Sequence, residues 1–196
     1  MTVSEFNMRL FFAIDLPDNV KAAAAEIIAP LKKTFSHPDN RWVKPENFHV
    51  TLQFLAAVDP LDILKLIDKT RTATAGFIPF EMRLGPLEFF PPSAAAPKII
   101  TLASEPQEEL SQLAAKVGSG MNDAGYPPDE RLFRGHLTLC RLNTDERKQP
   151  KALPKIALSI PTVTVRSVAL FRSEKIDNSF EYTILERFHA SHVTPS

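Results

Sequence analysis

The sequence predicts an α+β protein: two lobes of mainly antiparallel sheet, with flanking helices, around a central cleft. Three observations carry this. Short apolar or alternating runs bounded by Pro, Gly and Asn recur along the chain as strands do, and only three stretches show helical spacing. Several strand-like runs follow one another directly, which hairpins allow and parallel crossovers do not. A short motif also occurs twice, once in each half, which suggests two similar lobes facing one cleft. The 196 residues suit a single domain, 1–196, with its core from about residue 9 to 188.

Arg9-Leu10-Phe11-Phe12-Ala13-Ile14-Asp15-Leu16 is aromatic and β-branched at its centre and predicts a buried strand. Pro17 and Asp18 end it and open a helix. Val20, Ala24, Ile27, Ile28 and Leu31 recur at helical spacing to about Phe35, with Pro30 expected to stop or kink the helix early. After a turn-rich loop at 36–40 and Arg41-Trp42-Val43, a strand runs from about Phe48 to Leu55. Asp59-Pro60 starts a second helix reaching about Ala75, with Leu61, Leu64 and Ile67 turned inward. Phe80 to Leu84 and Leu87 to Phe90 read as strand segments interrupted by Gly85-Pro86, and Lys98 to Leu102 as another strand beyond a loop.

Ser104 is a capping residue for the third helix, with Pro106 just inside. Leu110, Leu113, Ala114 and Val117 form its inner stripe, and Gly118, Gly120 and Gly125 are expected to end it. A strand from about Phe133 to Leu142 follows, then a polar surface loop at 143–154. Lys155 to Ile160, Val163 to Phe171 and Phe180 to Phe188 are strand-like, and the last residues, 189–196, read as a tail.

Net charge is zero, with 23 basic and 23 acidic side chains, so no global basic field exists to hold a long duplex. A small phosphorylated ligand or a single RNA end needs only local charge. One cysteine, Cys140, rules out an internal disulfide and a cysteine-based zinc cluster. With no apolar leader at the start and no run of membrane-span length, the expectation is a cytoplasmic protein with no membrane contact.

The repeated motif is His49-Val50-Thr51-Leu52 and His136-Leu137-Thr138-Leu139. In a strand successive side chains alternate between faces, so each His shares a face with its Thr while the apolar residues turn the other way. Two imidazoles facing one cleft make an acid–base pair, because their ordinary pKa near 6.5 lets one be neutral and the other protonated. Threonine hydroxyls beside them can donate to the non-bridging oxygens of a phosphate. In-line displacement at phosphorus needs that set: base and acid on opposite sides, donors at the equator. The His-x-Thr spacing is a poor metal signature, and no third His lies nearby. The competing reading, two buried structural histidines, leaves the equal spacing of Thr unexplained. Core packing is the expected role of Phe11, Phe12 and Trp42, ahead of base stacking. Cys140, on the His face by parity, reads as an unreactive small residue, and His37, His189 and His192 as solvated.

The paired motifs, with RLFFAIDLP near the start and RWVKPENFHVTLQFL around the first of them, resemble the two-histidine phosphoesterase superfamily. The likeness is to its RNA 2′,3′-cyclic phosphodiesterase branch, the 2′-5′ RNA ligase or LigT-like family, over most of the chain. It implies a bilobal α+β fold with pseudo-twofold symmetry and a site between the lobes that needs no metal and no cofactor. It implies opening of 2′,3′-cyclic phosphate RNA ends to 2′-phosphates. The alternatives are 2′-5′ ligation of tRNA halves, or a nucleotide 2′-phosphate binding module. By position His49 and His136 become the catalytic pair, and Thr51 and Thr138 their phosphate-binding partners. Arg141 stands five residues after the second His, where many relatives have an Arg. Strict alternation puts Arg141 on the wrong face, so it reaches a phosphate only if the strand bulges or ends nearby; Arg134 is the fallback. Gly135 stands where the family usually has Pro, and only a local backbone effect is expected. The expected partner is an RNA or oligonucleotide end, or tRNA halves, met by a monomer. A local basic patch from Arg9, Arg41, Lys44, Arg131, Arg134 and Arg141 is available to it.

Overall fold

Nine strands, all paired antiparallel, form one sheet in the computed structural model, which describes residues 7–91, 98–129, 132–148, 151–177 and 179–191. In chain order the elements are β1 (Met8–Asp15), α1 (Asp18–Ala25), α2 (Ile28–Thr34), β2 (Arg41–Trp42), β3 (His49–Val58), α3 (Ile63–Thr74), β4 (Phe80–Phe90), β5 (Ile99–Glu105), α4 (Gln107–Ala124), β6 (His136–Arg141), α5 (Thr144–Lys148), β7 (Val163–Val165), β8 (Ser167–Ile176) and β9 (Ser179–His189). The strand order is β7-β4-β5-β6-β3-β1-β8-β9, and β2 pairs with the outer end of β6. Each lobe has four main strands led by its motif strand: β3-β1-β8-β9 and β6-β5-β4-β7.

One connection shows how far the sheet curls. Val165 ends β7 and Ser167 begins β8, so their Cα atoms are at most about 7.6 Å apart. Their strands are six places apart in the sheet, which on a flat sheet would be roughly 29 Å. The sheet therefore bends round into a half-barrel, bringing its outer strands together. Predicted as one strand, Val163 to Phe171 is in fact two strands of different lobes meeting at Arg166.

The convex face carries the helices and the main core, in which Leu10, Phe12, Ile14, Val50, Leu102 and Leu137 are all but inaccessible. Each such full burial contributes roughly 1.5–3 kcal/mol relative to an exposed side chain. The predicted first helix breaks at Glu26 and Ile27 into α1 and α2. Pro30 thereby falls in the first turn of α2, where its missing N–H costs nothing. The face of α3 is rotated from expectation: Leu61 and Leu64 are exposed, while Leu66, Thr70 and Thr74 are buried. Gly120 decides this. A Cβ there would lie 2.5 Å from the Cα of Thr70, so α3 and α4 pack backbone to backbone through small residues. Gly118 and Gly120 thus lie inside α4, and the helix stops at Gly125, whose φ of 99° is left-handed.

β4 runs unbroken through Gly85-Pro86, which form a bulge against β5. Ser104 is a buried strand residue and not a cap; the Glu105 carboxylate accepts the Gln107 N–H at 3.0 Å instead. In the predicted surface loop, α5 forms at 144–148. Lys155 to Ile160 is no strand. Ile156, Leu158 and Ile160 pack on the core in alternation, but among the described residues no strand pairs with them.

Candidate active site between the lobes

The lobes join where β3 meets β6, at the single pair Val50↔Leu137. Carried one residue either way, that antiparallel register sets His49 opposite Thr138 and Thr51 opposite His136. A local twofold axis passes between Val50 and Leu137, which are buried on the helix side. His49, Thr51, His136 and Thr138 are all half-buried on the concave side. The four motif side chains thus share one patch.

Both imidazoles are oriented by the same device. Nδ1 of His49 lies 2.7 Å from the carbonyl oxygen of Asn47, and Nδ1 of His136 lies 2.8 Å from that of Arg134. A carbonyl only accepts, so Nδ1 carries the proton and Nε2 is presented to the cleft. Nε2 of His49 is 3.0 Å from the Thr51 hydroxyl. The residues before each His are themselves pinned. Asn47 donates its side-chain amide to the Phe180 carbonyl at 2.8 Å. Gln107 clamps Gly135 from both sides, accepting its N–H at 2.9 Å and donating to its carbonyl at 3.0 Å. The departure at Gly135 gains its meaning here, since a proline has no N–H to give.

Aromatic rings wall the imidazoles. Phe11 lies 4.8 Å from His49 and stacks on Phe171, with the edge of Tyr182 5.4 Å away, while Phe90 stacks on His136 at 4.3 Å. Phe11 belongs with Ala13, Ala169 and Phe171 to a second apolar cluster on the concave face; Phe12 is in the main core. Burial among these groups disfavours the charged imidazole and lowers the pKa of His49 to about 4. The Lys21 and Arg141 charges add to this, while the Asn47 carbonyl and Asp15 oppose it. Burial also lowers His136, helped by Arg141 and Arg134 and opposed by the Arg134 carbonyl and Glu88. Burial alone would raise the Asp15 carboxyl. Its bonds to Arg187 (2.7 Å) and Lys21 (3.0 Å) hold it below its ordinary value. Beside His49 a cavity of about 150 Å³ opens between Lys21, Asn47 and Tyr182.

Arg141 reaches this face because both motif strands bulge at the same place. Phe12 pairs with Gln53 and Ala13 with Thr51, leaving Leu52 unpaired; Ile100 pairs with Cys140 and Thr101 with Thr138, leaving Leu139 unpaired. Each bulged leucine is the third residue after its His. The extra residue turns Gln53 and Cys140 to the helix side and returns Phe54 and Arg141 to the His side. Cys140 is therefore fully buried in the main core, correcting its expected place. Arg141 is exposed, and its charge acts on His49, His136 and Tyr182 alike. The fallback is committed elsewhere: Arg134 grips the Glu88 carboxylate at 2.8 and 3.0 Å. Of the expected basic patch, Arg134 and Lys44 are ion-paired, Arg9, Arg41 and Arg141 are exposed, and Arg131 lies outside the described residues. Trp42 packs on the core beneath Lys32.

A model of the LigT-like phosphoesterases matches the chain twice, over residues 14–101 and 100–182. The chain belongs to the LigT-like phosphoesterase family. The two matches meet inside β5 and place one motif strand in each, so the repeat that the sequence displays only at its motifs extends through both halves. LigT-like relatives include an RNA 2′,3′-cyclic phosphodiesterase of Archaeoglobus fulgidus, 30% identical over 74% of this chain and 76% of that one. Another, from Thermotoga maritima, is 28% identical over 91% and 93%. Among solved structures, E. coli LigT complexed with 3′-AMP superposes with a TM-score of 0.74 at 26% identity, covering 95% of this chain and 99% of that one.

Sequence reasoning missed the orienting carbonyls, the Gln107 clamp and the aromatic wall. Only the wall left a trace, in the aromatic content of the strands.

Proposed function

We propose that the protein is an RNA 2′,3′-cyclic phosphodiesterase that opens cyclic phosphate ends to 2′-phosphates by paired-histidine acid–base catalysis, as a cytoplasmic monomer. The observation that carries this reading is the twofold arrangement of two His and two Thr on one face, each His presenting Nε2, in a chain whose relatives are named for that activity. One neutral imidazole takes a proton from water as its oxygen attacks phosphorus. The P–O3′ bond breaks, and the protonated imidazole opposite gives its proton to O3′. Thr51, Thr138 and Arg141 hold the non-bridging oxygens as charge builds on them. His49, with the lower pKa of about 4, is the base, and His136, beside Glu88, is the acid. The bound phosphate's negative charge favours the protonated acid.

The test uses an oligonucleotide ending in a 2′,3′-cyclic phosphate, with product identity read by chromatography. His49→Ala and His136→Ala should each lose roughly 10²–10⁴-fold in turnover while keeping the wild-type melting temperature. EDTA should leave the rate unchanged. A chelator-sensitive rate, a 3′-phosphate product, or an active double variant would each defeat the proposal. The acid and base are separated by a substrate with sulfur in place of O3′, which needs no protonation to leave. That substrate should rescue His136→Ala and not His49→Ala.

A further inference from the structure

The concave face continues past Thr51 with side chains that the acid–base reaction does not use. The bulge at Leu52 returns Phe54 to this face, where the residue is 47% exposed, at the position that the local twofold relates to Arg141. Arg9 lies over it. Its guanidinium carbon is 5.4 Å from the centre of the Phe54 ring and 5.8 Å from that of Phe180, so the cation is held by two aromatic rings. Arg9 is exposed, and among the described residues no carboxylate forms an ion pair with it. Arg71, Arg134, Arg172 and Arg187 all have such partners.

The position relative to the reacting centre is defined by β1. Arg9 and Phe11 are two residues apart on one strand and share a face, so Arg9 starts about 7 Å further along than the ring that packs on His49. Tyr182 bridges the gap: its ring edge meets His49, and the Arg9 charge reaches its hydroxyl. A guanidinium held against aromatic faces still has its N–H groups free to donate, and its planar fork suits a phosphate better than a lysine's point charge does.

We propose that Arg9, clamped by Phe54 and Phe180, binds the phosphodiester on the 5′ side of the reacting nucleotide, so that the protein recognises an RNA end and not only a cyclic mononucleotide. This rests on the cyclic phosphodiesterase reading above.

The experiment compares two dinucleotides, each ending in a 2′,3′-cyclic phosphate. One has a normal internal phosphodiester and the other a neutral methylphosphonate in its place. The wild-type protein should favour the charged linkage about tenfold in kcat/KM, mostly through KM. Arg9→Ala should abolish that preference by slowing only the charged substrate, and Arg9→Lys should retain part of it. The salt slope of log kcat/KM on the charged substrate should fall by about 0.7 in Arg9→Ala. Phe54→Leu should weaken the preference without reversing it. Equal effects of Arg9→Ala on both dinucleotides, or a wild-type protein indifferent to the linkage, would overturn the site while leaving the phosphodiesterase reading intact. A wild-type protein that opens neither substrate would instead overturn that reading.

Discussion

At the scale of single residues the two imidazoles are alike in orientation and unlike in surroundings, and that difference has a pH signature. In the free protein burial holds both below 6.5, His49 at about 4, so both are neutral at pH 7. In the proposed reaction the productive form has His49 neutral and His136 protonated. The kcat/KM profile should therefore be a bell whose alkaline limb lies below 6.5 and whose acid limb lies near 4. The bell for kcat should sit at higher pH, because a bound phosphate anion favours the protonated imidazoles. Stability follows with its own sign. The unfolded chain binds these protons near 6.5 and the folded one only at lower pH, so stability is full above 6.5 and declines as pH falls from there towards 4. His49→Asn should flatten that decline in denaturation midpoints measured across the interval. Arg141→Ala should raise KM and lower kcat for a cyclic phosphate oligonucleotide. Arg141→Lys should recover only part, since a point charge does not reproduce the guanidinium fork. Equal rates in Arg141→Ala and wild type would remove Arg141 from the phosphate site.

At the scale of elements the site depends on two bulges and two pinned turns. The His-x-Thr spacing was legible because alternation in a strand is a local rule that needs no partner. Alternation also placed Cys140 with the histidines and Arg141 away from them, and there it failed. A bulge is a mismatch between two strands, and the extra residue at Leu139 exists only relative to Ile100 and Thr101 on β5. The same reason defeats Lys155 to Ile160, whose period gives a buried face but no pairing strand among the described residues. Gln107 is the clearest case of a contact hidden from the sequence, since it holds a turn 28 positions away. Gln107→Leu, which keeps the volume and loses both bonds to Gly135 and a third to the Ser104 carbonyl, should lower kcat more than it raises KM, with His136 displaced in its ring NMR signals. Unchanged kcat would mean that the turn holds itself. Helix packing makes a separate prediction. Gly120→Ala gains helix propensity but drives a methyl into the Thr70 backbone, so chemical denaturation should show a net loss of roughly 1–3 kcal/mol.

At the scale of the whole molecule, two similar halves share one curled sheet, and each contributes one His and one Thr to a seam a single residue pair long. Neither lobe alone holds both motif histidines. After β3 the chain crosses into the other lobe as β4, and after β6 and β7 it crosses back as β8, so the lobes are interleaved in sequence. A cut between the two halves of the chain splits both lobes and parts His49 from His136, so neither fragment by itself should open a cyclic phosphate. Activity in either fragment alone would contradict a site shared across the seam. By itself the sequence determined the α+β class, the strands carrying the motifs and the shared face of each His-Thr pair. These follow from periodicity and side-chain type, which act within a few residues. Only the tertiary structure decided that the pairs meet through Val50 and Leu137, that Arg141 and Phe54 share their face, and that burial disfavours the charged form of both imidazoles. Those properties depend on register between strands distant in the chain and on what surrounds a side chain, and no local pattern encodes either.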